Sequence, residues 1–166
     1  PLICRALTVT DGLFLHRVVV TRHADVASLC HAQNVPVILH DEPFRNDTIR
    51  MGLDEVTRNG DISGCLFCPG DQPLLSRETI INLIDAFLAD NKKIIRPAFQ
   101  NTPVLFPSWA FSELFSLPEG RGGGFVAKKY PERIQLVPVQ DEYELKDVDT
   151  QKDLLILLNR LKYQPM

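Results

Sequence analysis

The sequence predicts an α/β fold: a three-layer domain built around a mostly parallel sheet. Three observations carry that prediction. Short β-branched or apolar runs alternate with amphipathic stretches from end to end. No repeat, low-complexity tract or linker divides the 166 residues, so 1–166 is read as a single domain with enough chain to bury a core. The composition, 45% hydrophobic and 23% charged, is ordinary for a soluble globular protein.

Arg17-Val18-Val19-Val20-Thr21 reads as the first strand, bounded by Asp11-Gly12 before it and a polar stretch after. Val26 to Gln33 has helical composition, with Asp25 as candidate cap. Val35 to Leu39 is a second strand, and its Pro36 suits an edge or a strand start. A polar loop over 41–46 leads into a helix from Thr48 to Val56, with Ile49, Leu53 and Val56 on one face.

Leu66 and Phe67 between small residues read as a short, fully buried interior strand over 64–68. Pro69-Gly70 stops it, and Ser76 opens an amphipathic helix whose stripe holds Ile80, Ile81, Leu83, Ile84, Phe87 and Leu88. Lys93 to Pro97 and Val104 to Phe106 are further strands. A helix over 108–117 ends at Pro118-Glu119-Gly120, and a short helical piece from Phe125 to Lys129 follows the glycine run. Ile134 to Val139 is the last strand. Thr150 and Asp153 form a capping box for a closing helix with Leu154, Leu155, Leu157, Leu158 and Leu161 as its stripe.

A net charge of −3 gives no support for a nucleic-acid or membrane-surface partner, and no apolar run reaches membrane-spanning length. A cytoplasmic protein is expected. Cys4, Cys30, Cys65 and Cys68 sit in apolar surroundings and do not form a disulfide framework. Cys65 and Cys68 are three apart on a strand, hence on opposite faces, and are read as small core residues. His16, His23, His31 and His40 lack metal-ligand spacing and are read as surface or loop residues.

Asp71 follows the interior strand on a loop at its carboxyl end. That edge of an open α/β sheet is where ligands bind. A carboxylate there is suited to holding a divalent cation against a phosphate.

Five segments together resemble one family: Asn46-Asp47-Thr48-Ile49-Arg50-Met51-Gly52-Leu53, Pro69-Gly70-Asp71-Gln72-Pro73-Leu74-Leu75, Thr102-Pro103-Val104-Leu105-Phe106, Gly120-Arg121-Gly122-Gly123-Gly124 and Asp147-Val148-Asp149-Thr150-Gln151-Lys152-Asp153-Leu154. In this order and spacing the chain resembles the MobA-like nucleotidyltransferase family, with its Rossmann-like, glycosyltransferase-A-type fold, and in particular the molybdenum cofactor cytidylyltransferase (MocA-like) branch. The resemblance implies transfer of CMP, or another nucleoside monophosphate, from CTP (or GTP) to a molybdopterin-type cofactor with release of pyrophosphate. It implies Mg2+ as cofactor, a nucleotide and a pterin as small-molecule partners, and a molybdenum hydroxylase as protein partner. Asp71 matches the family's metal-binding aspartate, and Asp149 the acidic position before the last helix that completes the metal site. These two are the implied catalytic pair. Thr48, Pro69, Gly70 and Asp71 fall on the nucleotide side, and Asn101, Thr102, Arg121, Gly122, Gly123 and Gly124 on the acceptor side. The resemblance also lets Arg121, Lys128 and Lys129 hold a pterin phosphate.

Each residue has a plainer reading. Asp71 suits a solvated turn, Asp149 is favoured beside a helix N-terminus in any case, Thr48 suits an N-cap, and a glycine run suits a surface loop. The chain also departs from the family at its start: Pro1 follows the point where the family's first strand and glycine-rich phosphate loop are normally found. A longer native product is therefore expected, since without that strand its neighbours would be left unpaired. The rival reading is a catalytically inactive accessory protein that binds a pterin or nucleotide for maturation of a molybdenum enzyme. A third is a cytidylyltransferase of the methylerythritol-phosphate type, which the 147–150 region fits less well.

Overall fold

The computed structural model describes residues 1–58 and 60–163, with the side chains of 161–163 left aside. Six strands and seven α-helices alternate along these residues. The strands are β1 (Val19–Thr21), β2 (Val37–Leu39), β3 (Gly64–Phe67), β4 (Ile94–Pro97), β5 (Val104–Pro107) and β6 (Ile134–Val137). The helices are α1 (Leu2–Thr10), α2 (Ala24–Ala32), α3 (Arg45–Thr57), α4 (Arg77–Ala89), α5 (Phe111–Phe115), α6 (Gly123–Lys129) and α7 (Gln151–Tyr163).

The strands form two sheets. β1 and β2 pair in parallel, and the other four lie in the order β3-β5-β4-β6. β5 runs against both neighbours, while β4 and β6 are parallel, so β3, β4 and β6 share one direction. The prediction of a mostly parallel sheet holds, with β5 as the reversed strand. Period-two alternation then divides the core into layers. Ile94, Val104 and Phe106 face α3, α5 and α6, meeting Leu53, Val56, Leu114 and Val126. Ile95 and Leu105 face the other way, onto Leu83 and Phe87 of α4. A separate cluster of Leu7, Cys30 and Val35 holds α1 and α2 at the small sheet.

Several local readings match the fold. Ser76 caps α4 by accepting from the Thr79 amide, and Thr79 in turn donates to Glu144. Ser76→Ala is expected to destabilise the protein by about 1 kcal/mol, measured by urea denaturation. The Thr150–Asp153 capping box forms reciprocally, with Asp153 Oδ2 accepting from the Thr150 amide at 2.9 Å and Thr150 Oγ1 accepting from the Asp153 amide at 3.2 Å.

Others need correction. Residues 2–10, for which the sequence predicts no element, form α1. Their threonines, isoleucine and valine are modest helix formers, and packing of Ala6 and Leu7 supplies what propensity lacks. Asp25 lies inside the first turn of α2 rather than at its cap, which is His23. α3 begins at Arg45, so Thr48 sits within its first turns and does not cap it. β3 pairs with β5 alone among the described residues, and all four of its residues are half-buried rather than fully buried. In α7 Leu157 is buried, but Leu154, Leu155 and Leu158 face outward with Leu155 60% exposed; the Leu161 side chain lies outside the described residues.

Candidate active site

A cleft of about 1060 Å³ runs between the two sheets. Val18, just before β1, and Val20 within it line the cleft, with Gly64 to Phe67 from β3 and Thr48, Ile49 and Gly52 from α3. Asn101, Thr102 and the glycine loop over 120–124 also line it. The expected site residues Thr48, Pro69, Asp71, Asn101, Thr102, Arg121, Gly122, Gly123 and Gly124 therefore share one cavity. Gly70 and Asp149 are not among its lining residues, whereas Asp147 is.

The loop after β3 is fixed by Gln72, which is only 2% exposed. Its Nε2 donates to Leu145 O at 3.0 Å, to Asp147 Oδ1 at 2.9 Å and to Thr102 Oγ1 at 3.3 Å. The Val148 amide donates to the carbonyl of Asp71 at 2.9 Å. Three segments far apart in sequence are thus tied together at the tip of β3. One carries Asp71, one Thr102, and one Asp147 and Asp149.

This gathering has an electrostatic consequence. Burial pushes the Asp71 carboxyl above its usual range, and the charges of Asp147 and Asp149 push it further up, while Arg45 pulls it down. Asp71 Oδ1 is buried with no hydrogen-bond partner among the described residues. A carboxylate oxygen left unpaired among like charges fits a divalent cation, which would supply the missing partner. Among the described residues no three His, Cys, Asp or Glu side chains converge into a preformed cage.

Within the same lining α3 and the glycine loop are joined. Asn46 Oδ1 accepts from the Gly120 amide at 2.9 Å, and Asn46 Nδ2 donates to Asp47, itself paired with Arg50 at 2.6 Å. Gly120 has φ of +72°, closing a turn in which the Arg121 amide donates to Pro118 O. Asn46→Ala removes the carbonyl partner of that turn and is expected to destabilise by about 1–2 kcal/mol, with raised hydrogen exchange at Gly120 as the local readout. Thr48 Oγ1 lies 3.3 Å from His40 Nε2. Lys129 turns away from the cleft and pairs with Glu113 at 2.5 Å, leaving Arg121 and Lys128 at its wall.

Burial pushes the thiols of Cys65 and Cys68 up to about 12, which favours their protonated form. The four cysteines are free. His16, His23 and His31 are exposed as expected, but His40 is half-buried against Thr48.

The sequence reading missed Arg45, Gln72 and Asp147. The last two lie inside quoted motifs, and a glutamine between an aspartate and a proline in an apolar setting was the available signal for a buried polar junction. Arg45 directly precedes a quoted motif and carried no signal of its own.

Solved structures share this fold at low identity. A nucleotidyl transferase from Methanothermobacter thermautotrophicus superposes with a TM-score of 0.75 at 16% identity, over 98% of this chain and 80% of that one. A cytidylyltransferase from Leptospira borgpetersenii gives 0.75 at 18% identity, over 99% and 77%. A protein of Mycobacterium tuberculosis H37Rv gives 0.77 at 22% identity, over 95% and 84%. No curated protein sequence matches the chain significantly. No described helix is long and apolar enough to cross a membrane. The profile of the MobA-like NTP transferase domain matches residues 1–134, ending short of Asp147 and Asp149, and over that span the chain belongs to this family of nucleotidyltransferase-type enzymes.

Proposed function

We propose that the protein is a molybdenum cofactor cytidylyltransferase-like enzyme, transferring CMP from CTP to a phosphorylated pterin and releasing pyrophosphate. The observation that carries this reading is the unpaired, buried oxygen of Asp71 at the tip of β3, in a cleft that Arg45, Arg121 and Lys128 also line. Nucleotidyl transfer brings an anionic attacking phosphate against a triphosphate, and both must be neutralised and aligned. Bound Mg2+ would supply that charge neutralisation. Asp71 would hold it, assisted by a carboxylate of the 147–149 segment.

The remaining work falls to this chain's own groups. Thr48 offers its hydroxyl beside the base, at the nucleotide end of α3. Pro69 and Gly70 shape the loop that sets the height of Asp71. The loop over 122–124, free of side chains, lets the acceptor approach the backbone closely, with Asn101 and Thr102 on its flank. The like name of the Leptospira neighbour agrees with CTP as donor.

Product analysis tests this reading. The protein is incubated with Mg2+, CTP or GTP, and molybdopterin, and the products are weighed by mass spectrometry. A cytidylylated pterin is the expected product. A guanylylated one would reassign the donor, and a nucleotide bound without product would favour the accessory-protein reading.

A further inference from the structure

We propose that His40 is a positioning residue that holds the Thr48 oxygen through Nε2–H, so that the Thr48 hydroxyl donates its own proton to an acceptor atom of the nucleotide base; this rests on the transfer reading above, which sets the base beside Thr48. Thr48 is unlike other helical threonines of the chain. The hydroxyls of Thr8, Thr10 and Thr57 each donate to the carbonyl four residues back, at 2.9, 2.8 and 2.8 Å. Thr48 makes no such bond. Among the described residues the sole partner of its hydroxyl is His40 Nε2, at 3.3 Å. Both residues are fixed by backbone. His40 directly follows β2, and its amide donates to Thr21 O at the end of β1, at 3.1 Å. Gly52, one turn beyond Thr48, brings α3 against β1, since a Cβ there would stand 3.1 Å from Val20 Cγ2. His40 and Thr48 thus meet at a tight junction of sheet and helix.

The rest of the ring sets the direction of the bond. His40 Nδ1 is buried and has no hydrogen-bond partner among the described residues. Asp41, which lines a small cavity with His40, Arg22 and His23, is exposed and takes no hydrogen bond from the ring. A neutral imidazole carries one N–H. On Nδ1 that proton would be a buried donor without an acceptor, which is rarer in folded proteins than an acceptor without a donor. The proton therefore sits on Nε2 and is donated to Thr48 Oγ1. The Thr48 hydroxyl, engaged as an acceptor and bound to no backbone carbonyl, is left to donate toward the cleft that it lines. A donor there suits the lone pairs of a base. In cytosine these are O2 and N3, whereas the 4-amino group itself donates.

Titration calorimetry with CTP and Mg2+ tests the pair. Thr48→Val is expected to weaken CTP binding by about tenfold, and His40→Leu by about three- to tenfold. His40→Gln, whose amide can place an N–H near the position of Nε2, is expected to restore most of that loss. In the Thr48→Val background neither His40 change is expected to move the affinity by more than about twofold, because the two residues act as one unit. A merely structural histidine would instead lower stability in urea in both backgrounds and leave the affinity of the folded protein alone. A pyrimidin-2-one nucleotide, which lacks the 4-amino group of CTP, reads the direction of the bond, and the Thr48→Val loss is expected to be the same with it. The proposal is overturned if His40→Leu binds CTP as wild type does, or if its loss persists beside Thr48→Val. It is equally overturned if the Thr48→Val loss vanishes with the analogue, which would make Thr48 an acceptor. Wild type that does not bind CTP would overturn it too, together with the choice of CTP as donor. Coupled CTP binding without pyrophosphate release would sink the transfer reading and leave the role of His40 standing, and release without coupling would do the reverse.

Discussion

Asp71→Asn is expected to lower pyrophosphate release by about 10²–10³-fold while the protein melts higher than wild type at neutral pH. The two effects share one cause. Burial and the neighbouring charges of Asp147 and Asp149 disfavour the ionised Asp71 carboxylate in the folded chain. A carboxyl raised in this way binds its proton more tightly folded than unfolded. Stability therefore falls as pH rises through the window between its ordinary and its raised pKa, and the loss is complete above that window. Asparagine removes the charge and with it that pH dependence, at the expense of cation binding. Melting curves across mildly acidic to neutral pH are expected to converge at the acid end and separate toward neutrality. Adding Mg2+ is expected to raise the wild-type curve at neutral pH and leave the variant where it was.

Gln72→Leu is expected to cost about 2–3 kcal/mol and to depress transfer. The leucine is of similar size but donates nothing, so the Leu145 carbonyl and Asp147 lose a buried donor, and the Thr102 hydroxyl its cross-link. Breaking this junction frees the 145–149 segment from the tip of β3. Gln72→Asn, a shorter amide, is expected to restore part of the stability without restoring the spacing. Urea denaturation gives the stability term. A larger fall in kcat than rise in KM for the nucleotide would mark Gln72 as a positioning residue, since a merely structural role would lower the folded fraction alone.

What the sequence disclosed and what it hid follow from how local each signal is. The α4 cap at Ser76 and the α7 capping box depend on residues three apart, and both formed as read. The alternation of strands and helices was equally local, and the layers followed from it. The start of α3 was misjudged because nothing at Phe44 caps it; the helix begins early through tertiary contact, with Asn46 reaching the glycine loop 74 residues away. β3 was read as interior from its apolar run. Which strand lies beside it is a long-range matter, and among the described residues β5 alone pairs with it, while its residues line the cleft. At the site, the position of Asp71 on the loop at the carboxyl end of β3 was legible, because the apolar strand and its Pro-Gly stop are local signals. Arg45, Gln72 and Asp147 were not, because their significance lies in partners drawn from other segments.

The central claim is that Asp71 and the cleft it lines serve nucleotidyl transfer. Pyrophosphate release measures that most directly, with wild type and Asp71→Asn side by side in Mg2+, CTP and molybdopterin. Release that requires all three components and falls by about 10² or more in the variant is the expected result. CTP binding by wild type with no pyrophosphate released from CTP or GTP would contradict it.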